Sequence, residues 1–143
     1  MNIILEANEH TLVNVEEFLQ KAGLGTEGLG ESGAAVLYIE NEQSEIQGTL
    51  AMEKHGNKGL LRSLAITQQI LPEDVLTLFK TMFLTAQKMS VHTLFLTSNR
   101  QESLPFFEML GFKLSGIDED IEEFEHFEQL STVDNYYILK KFL

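Results

Sequence analysis

Thr93-Leu94-Phe95-Leu96-Thr97, entered from His92, runs into Ser98-Asn99-Arg100-Gln101 and then into Leu104-Pro105-Phe106-Phe107-Glu108-Met109-Leu110-Gly111-Phe112. The first part is short, apolar and rich in β-branched and aromatic residues, which predicts a strand over His92 to Thr97. The polar residues Ser98 to Gln101 predict a turn. Leu104 to Leu110 predicts a short helix, with Pro105 tolerated in its first turn and Gly111 stopping it. Phe112 then opens another strand. Strand, turn, aromatic helix and strand follow one another without a gap.

Upstream, Asn2 to Ala7 predicts a first strand. Thr11 to Ala22 spaces Leu12, Val15, Leu19 and Ala22 as a helix does, with Thr11 as N-cap and Gly23 as stop. Gly23 to Gly33 holds five glycines among small and polar residues and predicts a loop. Three strands follow. One covers Ala35 to Glu40. Ile46 to Lys54 places Ile46, Gly48, Leu50 and Met52 on one face, and Gly59 to Thr67 places Leu60, Arg62, Leu64 and Ile66 on one face. Their connectors are short and turn-rich, which predicts an antiparallel meander. The longest helix starts at Pro72 and carries the apolar stripe Leu76, Phe79, Phe83 and Ala86 to about Met89. From the meander through this helix to His92–Thr97 the chain predicts a right-handed crossover to a parallel strand. A last strand is expected from about Asn135 to Phe142. The chain reads as one domain, residues 1–143, of α/β (α+β) class.

The order β-α-β-β-β-α-β-α-β-β, together with Phe106-Phe107-Glu108-Met109-Leu110-Gly111-Phe112, resembles the GNAT N-acetyltransferase superfamily over nearly the whole chain. In that family the short helix usually reads Phe-Tyr-Glu-x-x-Gly-Phe. The resemblance implies the acyl-CoA N-acyltransferase fold, a mixed central sheet of about six or seven strands flanked by helices. It implies transfer of an acetyl group from acetyl-CoA to a primary amine. The glyoxalase-related vicinal-oxygen-chelate group has a similar helix, but there it opens a βαβββ module. Here only about 30 residues follow Phe112, and no His/Glu ligand set sits on the strands.

The resemblance also names residues. The family's Tyr beside the acetyl-CoA thiol falls at Phe107, which has no proton to give. Tyr136 and Tyr137 are the tyrosines of the last strand that stand in for it, and Glu53 and His55 are the candidates for the base; each of the four also fits an ordinary packing or solvated role. The family's Ala-x-x-x-Gly-Val is matched by Ala86 to Val91 apart from Ser90. Counting back from it places Ile70, Glu73 and Val75 where Gln/Arg-x-x-Gly-x-Gly/Ala would cradle the CoA diphosphate. Leu71 and Asp74 belong to the same turn. Pro72 removes a donor there. At about 6 Å and an effective dielectric near 20, one carboxylate such as Glu73 or Asp74 opposes a unit of phosphate charge by roughly 2 to 3 kcal/mol. Leu64-Ala65-Ile66 stands where a splayed strand edge would pair with the pantetheine arm, and Asn99 where an Asn often faces it. A catalytically inactive binding or regulatory module is the alternative to an enzyme.

The formal charge of −12 argues against nucleic acid or an anionic membrane surface as partner and favours a small amine or a basic peptide. Asp118 to Glu128 carries seven acidic residues and no Lys or Arg, with Ile121, Phe124 and Phe127 at threes. That segment reads as a solvated acidic face or as an apolar-anchored element near the acceptor. With no cysteine, disulfides and thiolate zinc sites are excluded. The histidines His10, His55, His92 and His126 are scattered, so no metal site is expected. No signal-like or membrane-spanning run is present, so a cytoplasmic protein is expected, and a homodimer is compatible with the sequence.

Overall fold

The computed structural model describes residues 2–31, 34–115 and 137–143. Its elements are β1 (Ile3–Glu6), α1 (Leu12–Lys21), β2 (Ala34–Glu40), β3 (Ile46–His55), β4 (Lys58–Ile66), α2 (Pro72–Lys88), β5 (Thr93–Ser98), α3 (Leu104–Met109), β6 (Lys113–Ser115) and β7 (Tyr137–Phe142), with a 3₁₀ turn at Gln101–Ser103 before α3. The strands form one seven-stranded sheet in the order β1-β2-β3-β4-β5-β7-β6. β1 to β4 are antiparallel neighbours, and β4 and β5 pair in parallel across α2. This is the mixed α/β architecture expected. The acidic run Asp118–Glu128, Tyr136 and the start expected for the last strand lie outside the described residues.

The sheet is covered on both faces, which is why β2 reads as the unbroken apolar run Ala-Ala-Val-Leu-Tyr-Ile. Ala35, Leu37 and Ile39 point into the larger core beside Leu78, Phe79, Met82 and Ala86 of α2. Val36 and Tyr38 point into the smaller core beside Val15 and Leu19 of α1. The aromatic residues Phe79, Phe106, Phe107 and Phe112 meet edge to face at 5.6–6.4 Å between ring centres and lock α2 to α3. The buried face of α2 runs through Val75, Leu78, Phe79, Met82 and Ala86, so Leu76 and Phe83 flank the stripe instead of centring it.

Two bulges correct the simple alternation. At Gln47 the β2–β3 register slips, and Ile46 packs with the smaller core while Leu50 and Met52 serve the larger one. At Ser63 and Leu64 the β3–β4 register slips, so Arg62 and Ala65 share the α1 face while Ile66, opposite Gly48, turns to the α2 face. Thr11 makes no side-chain cap to α1. Instead the Asn8 carboxamide oxygen accepts from the N–H groups of His10 and Thr11, and the Thr11 hydroxyl accepts from the N–H of Asn8. The entry to α1 is therefore closed by the turn that precedes it.

Left-handed backbone follows α1, α2 and α3 at Gly23, Ser90 and Gly111. Gly111 has φ of 100° and Ser90, in the family's glycine position after α2, has φ of 63°. A Cβ at Gly111 would also press on the end of Lys141. Urea denaturation is expected to show Gly111→Ala less stable by about 1 kcal/mol and Ser90→Gly more stable by up to about 1 kcal/mol.

Candidate functional site

β4 and β5 are paired at Lys58–Thr93, Gly59–Leu94 and Leu60–Phe95, and there the ladder ends. Both strands continue, β4 to Ile66 along β3 and β5 to Ser98 along β7. A parallel pair joined at its N-terminal ends and unjoined at its C-terminal ends is a V. Among the described residues no β4–β5 pair follows Leu60–Phe95, which leaves Arg62–Ile66 outside the ladder on the β5 side. Their amides and carbonyls are an open strand edge, and Leu64 and Ile66 show 36% and 50% of their surface.

The cause is the bulge on β4. Ser63 adopts φ of 58°, in the left-handed region, and Ser63 and Leu64 together face the single residue Leu50. Thr49, fully buried, donates its hydroxyl to the Ser63 carbonyl at 2.8 Å. Beyond the bulge, Thr67 is held by Gln47 twice: its N–H donates to the Gln47 carbonyl and its hydroxyl to Oε1, both at 2.9 Å. Gln47 and Thr49 are the buried polar side chains of the described core. Both are spent on the strand that forms one wall of the V. Gly48 between them sits under Ile70, where a Cβ would come within 3.1 Å of the Ile70 Cδ1.

The loop so positioned delivers Leu71, 53% exposed, and then α2. Pro72 is the first helical residue and offers no N–H. The N–H groups of Asp74 and Val75 already donate to the Leu71 carbonyl at 3.0 and 3.3 Å. The Asp74 carboxylate accepts from Asn2 Nδ2 at 3.0 Å, which ties the edge strand to the helix start. Glu73 is exposed. Two carboxylates in the first turn suit the helix dipole. They leave no glycine-lined anion cradle.

Parallel strands bring their C-terminal ends to one edge. That edge therefore gathers Leu64, Ala65 and Ile66, the turn Leu71 to Val75, and exposed Asn99 just past β5. Tyr137 joins them, because it pairs with Ser98 on β7, and its half-buried ring packs against the larger core. Glu53 and His55 lie elsewhere: they pair with Leu60 and Lys58. That is the closed end of the V, roughly 17 Å along β4 from Ala65 at a strand's rise per residue. Phe107 is 8% exposed and is held by the rings of Phe79, Phe106 and Phe112, so in this fold it is a core residue. Among the described residues no three His, Asp or Glu side chains are grouped closely enough to hold a metal ion. A shallow depression at the β6 edge is lined by Glu108, Gly111, Phe112, Lys113 and Leu114, none of them a predicted site residue.

The sequence reading did not single out Gln47, Thr49, Ser63, Thr67 or Asn2. Removing the Thr49 hydroxyl takes the partner from a half-buried carbonyl. Thr49→Val is expected to cost about 1–3 kcal/mol and to speed amide exchange at Leu64–Ile66, with Thr49→Ser restoring both; hydrogen-exchange mass spectrometry checks it.

Comparison with known proteins gives the fold and a relative. YwlB of Bacillus subtilis (strain 168), an uncharacterised protein, is 30% identical over 129 residues, covering 89% of this chain and 88% of YwlB. No family profile matches the sequence. Among solved structures, a GNAT-family acetyltransferase from Staphylococcus aureus Mu50 superposes with a TM-score of 0.75 at 14% identity, covering 100% of this chain and 99% of its own. The PaiA N-acetyltransferase of Thermoplasma acidophilum, crystallised with coenzyme A, superposes with a TM-score of 0.69 at 17% identity over 100% of this chain and 99% of its own. N-acetylglutamate synthase from Neisseria gonorrhoeae, complexed with coenzyme A and N-acetyl-glutamate, gives 0.74 at 18% identity over 100% of this chain, which spans 35% of that protein.

Proposed function

The chain is a GNAT-fold protein of the family that includes YwlB, and on that premise we propose that it is an N-acetyltransferase taking an acetyl group from acetyl-CoA to a primary amine. The observation that carries this reading is the V: an open edge at Leu64–Ile66, built by a buried threonine and a left-handed serine, facing the end of β5. Structures of the same fold have been determined with coenzyme A. A strand edge with free amides is what an extended pantetheine arm, with its two amide groups, pairs with.

Acetyl-CoA supplies the activated thioester. The residues of the chain do the rest. The Leu64–Ile66 amides hold the arm and orient the thioester carbonyl toward the open side of the V. When the amine nitrogen bonds to the acyl carbon and the carbon–sulfur bond breaks, the thiolate needs a proton. Phe107 has none to give. Tyr137, at the same edge, is the phenol we assign to that transfer, and the proton released by the amine to water returns to it. The net charge of −12 favours a cationic amine or a basic peptide as acceptor. Nothing in this scheme uses Glu53 or His55.

The second reading, a non-catalytic binding or regulatory module, is favoured by one observation: the start of α2 offers Pro72, Glu73 and Asp74 where a diphosphate would need donors. Thermal-shift titration separates the two. Acetyl-CoA at 100 times its Kd is expected to add about 2.7 kcal/mol of stability, and no shift at millimolar ligand would end the enzyme reading. With an amine panel, Tyr137→Phe is expected to lower kcat by about 10²-fold with KM unchanged. An unchanged kcat removes Tyr137 from the mechanism.

A further inference from the structure

The two ends of the expected donor meet surfaces of opposite character. The pantetheine arm meets the open edge of β4, flanked by the exposed apolar side chains of Leu64, Ile66 and Leu71. The diphosphate would meet the first turn of α2. There Pro72 has no N–H, the Asp74 and Val75 N–H groups are turned inward to the Leu71 carbonyl, and the carboxylate of Asp74 is pinned in place by Asn2. The Asn2 bond favours the position Asp74 holds at the helix start. Glu73 adds a second negative charge on the exposed side. These residues do not fit a diphosphate.

We infer that the site recognises its donor by the acyl-pantetheine arm alone, with the nucleotide end of coenzyme A adding nothing favourable to affinity. This rests on the acyltransferase reading above and narrows its substrate class to a thioester on a pantetheine arm. Coenzyme A and the prosthetic arm of an acyl-carrier protein share that chemistry. Where helix N–H donors hold the diphosphate, cutting the nucleotide from the donor costs affinity. Here the cut is neutral or favourable, because it removes the anions that Glu73 and Asp74 repel.

Isothermal titration calorimetry on the full chain tests this with acetyl-CoA, acetyl-pantetheine and adenosine 3′,5′-bisphosphate. Acetyl-pantetheine is expected to bind within about threefold of acetyl-CoA or tighter, and the bisphosphate not at all. Glu73→Gln is expected to tighten acetyl-CoA about tenfold and to leave acetyl-pantetheine unchanged. Acetyl-CoA binding more than tenfold tighter than acetyl-pantetheine overturns the inference while leaving the acyltransferase reading standing. Binding of neither thioester overturns both. An acetylated carrier protein binding as tightly as acetyl-pantetheine supports the inference and identifies the carrier arm as the source; a much weaker one supports it with coenzyme A as the source.

Discussion

One hydrogen bond underlies the working edge of this molecule: the hydroxyl of Thr49 on the carbonyl of Ser63. An antiparallel ladder strongly favours regular pairing, and a serine with φ near 60° costs about 1–2 kcal/mol against it. The buried Thr49 hydroxyl offsets part of that by bonding a half-buried acceptor. Two side chains, Thr49 and Gln47, bind β4 and its exit to β3 while the other side of β4 is left unpaired. The sheet is thus continuous through β3 and open between β4 and β5, and everything attributed to the site follows from that asymmetry.

The opening is unequal along its length. Its inner part is backbone, which is indifferent to side-chain substitution, and its outer part is the start of a helix, where three consecutive residues set the sign of the local field. Divergence in sequence can therefore leave the inner half intact while changing the outer half. Identities of 14–18% to proteins of the same fold, with TM-scores of 0.69–0.75, are the global counterpart of that local pattern.

Much of the architecture was legible in the residues. The 3.6-residue spacing located α1 and α2, and the element order with the aromatic helix before Gly111 carried the resemblance that implied a sheet flanked by helices. Ser90 departs from the family's glycine after α2, yet its backbone is left-handed. Period-two alternation failed at Gln47 and Ser63, because a bulge leaves no mark in a sequence when its residues are not glycine. For the site, position along the chain placed Leu64–Ile66 on β4 and Glu73 and Asp74 in the first turn of α2, where the structure has them. The roles of Thr49, Gln47 and Asn2 were not legible, since each acts on a residue brought near only by folding, Asn2 across 72 positions to Asp74. Tyr137 was separated from Glu53 and His55 only by strand register.

The place of β7 has a consequence for how the molecule is made. It enters between β5 and β6, although it is the last of the seven strands to be synthesised. Until Tyr137–Phe142 emerges, β5 has no neighbour on that side and β6 has no partner within the sheet. The ladder side of β5 from Thr93 to Ser98 is filled only at that moment. During translation the nascent domain therefore presents an unfinished sheet edge to the cell, a state that invites chaperone attention and that closes only when the final strand slots home.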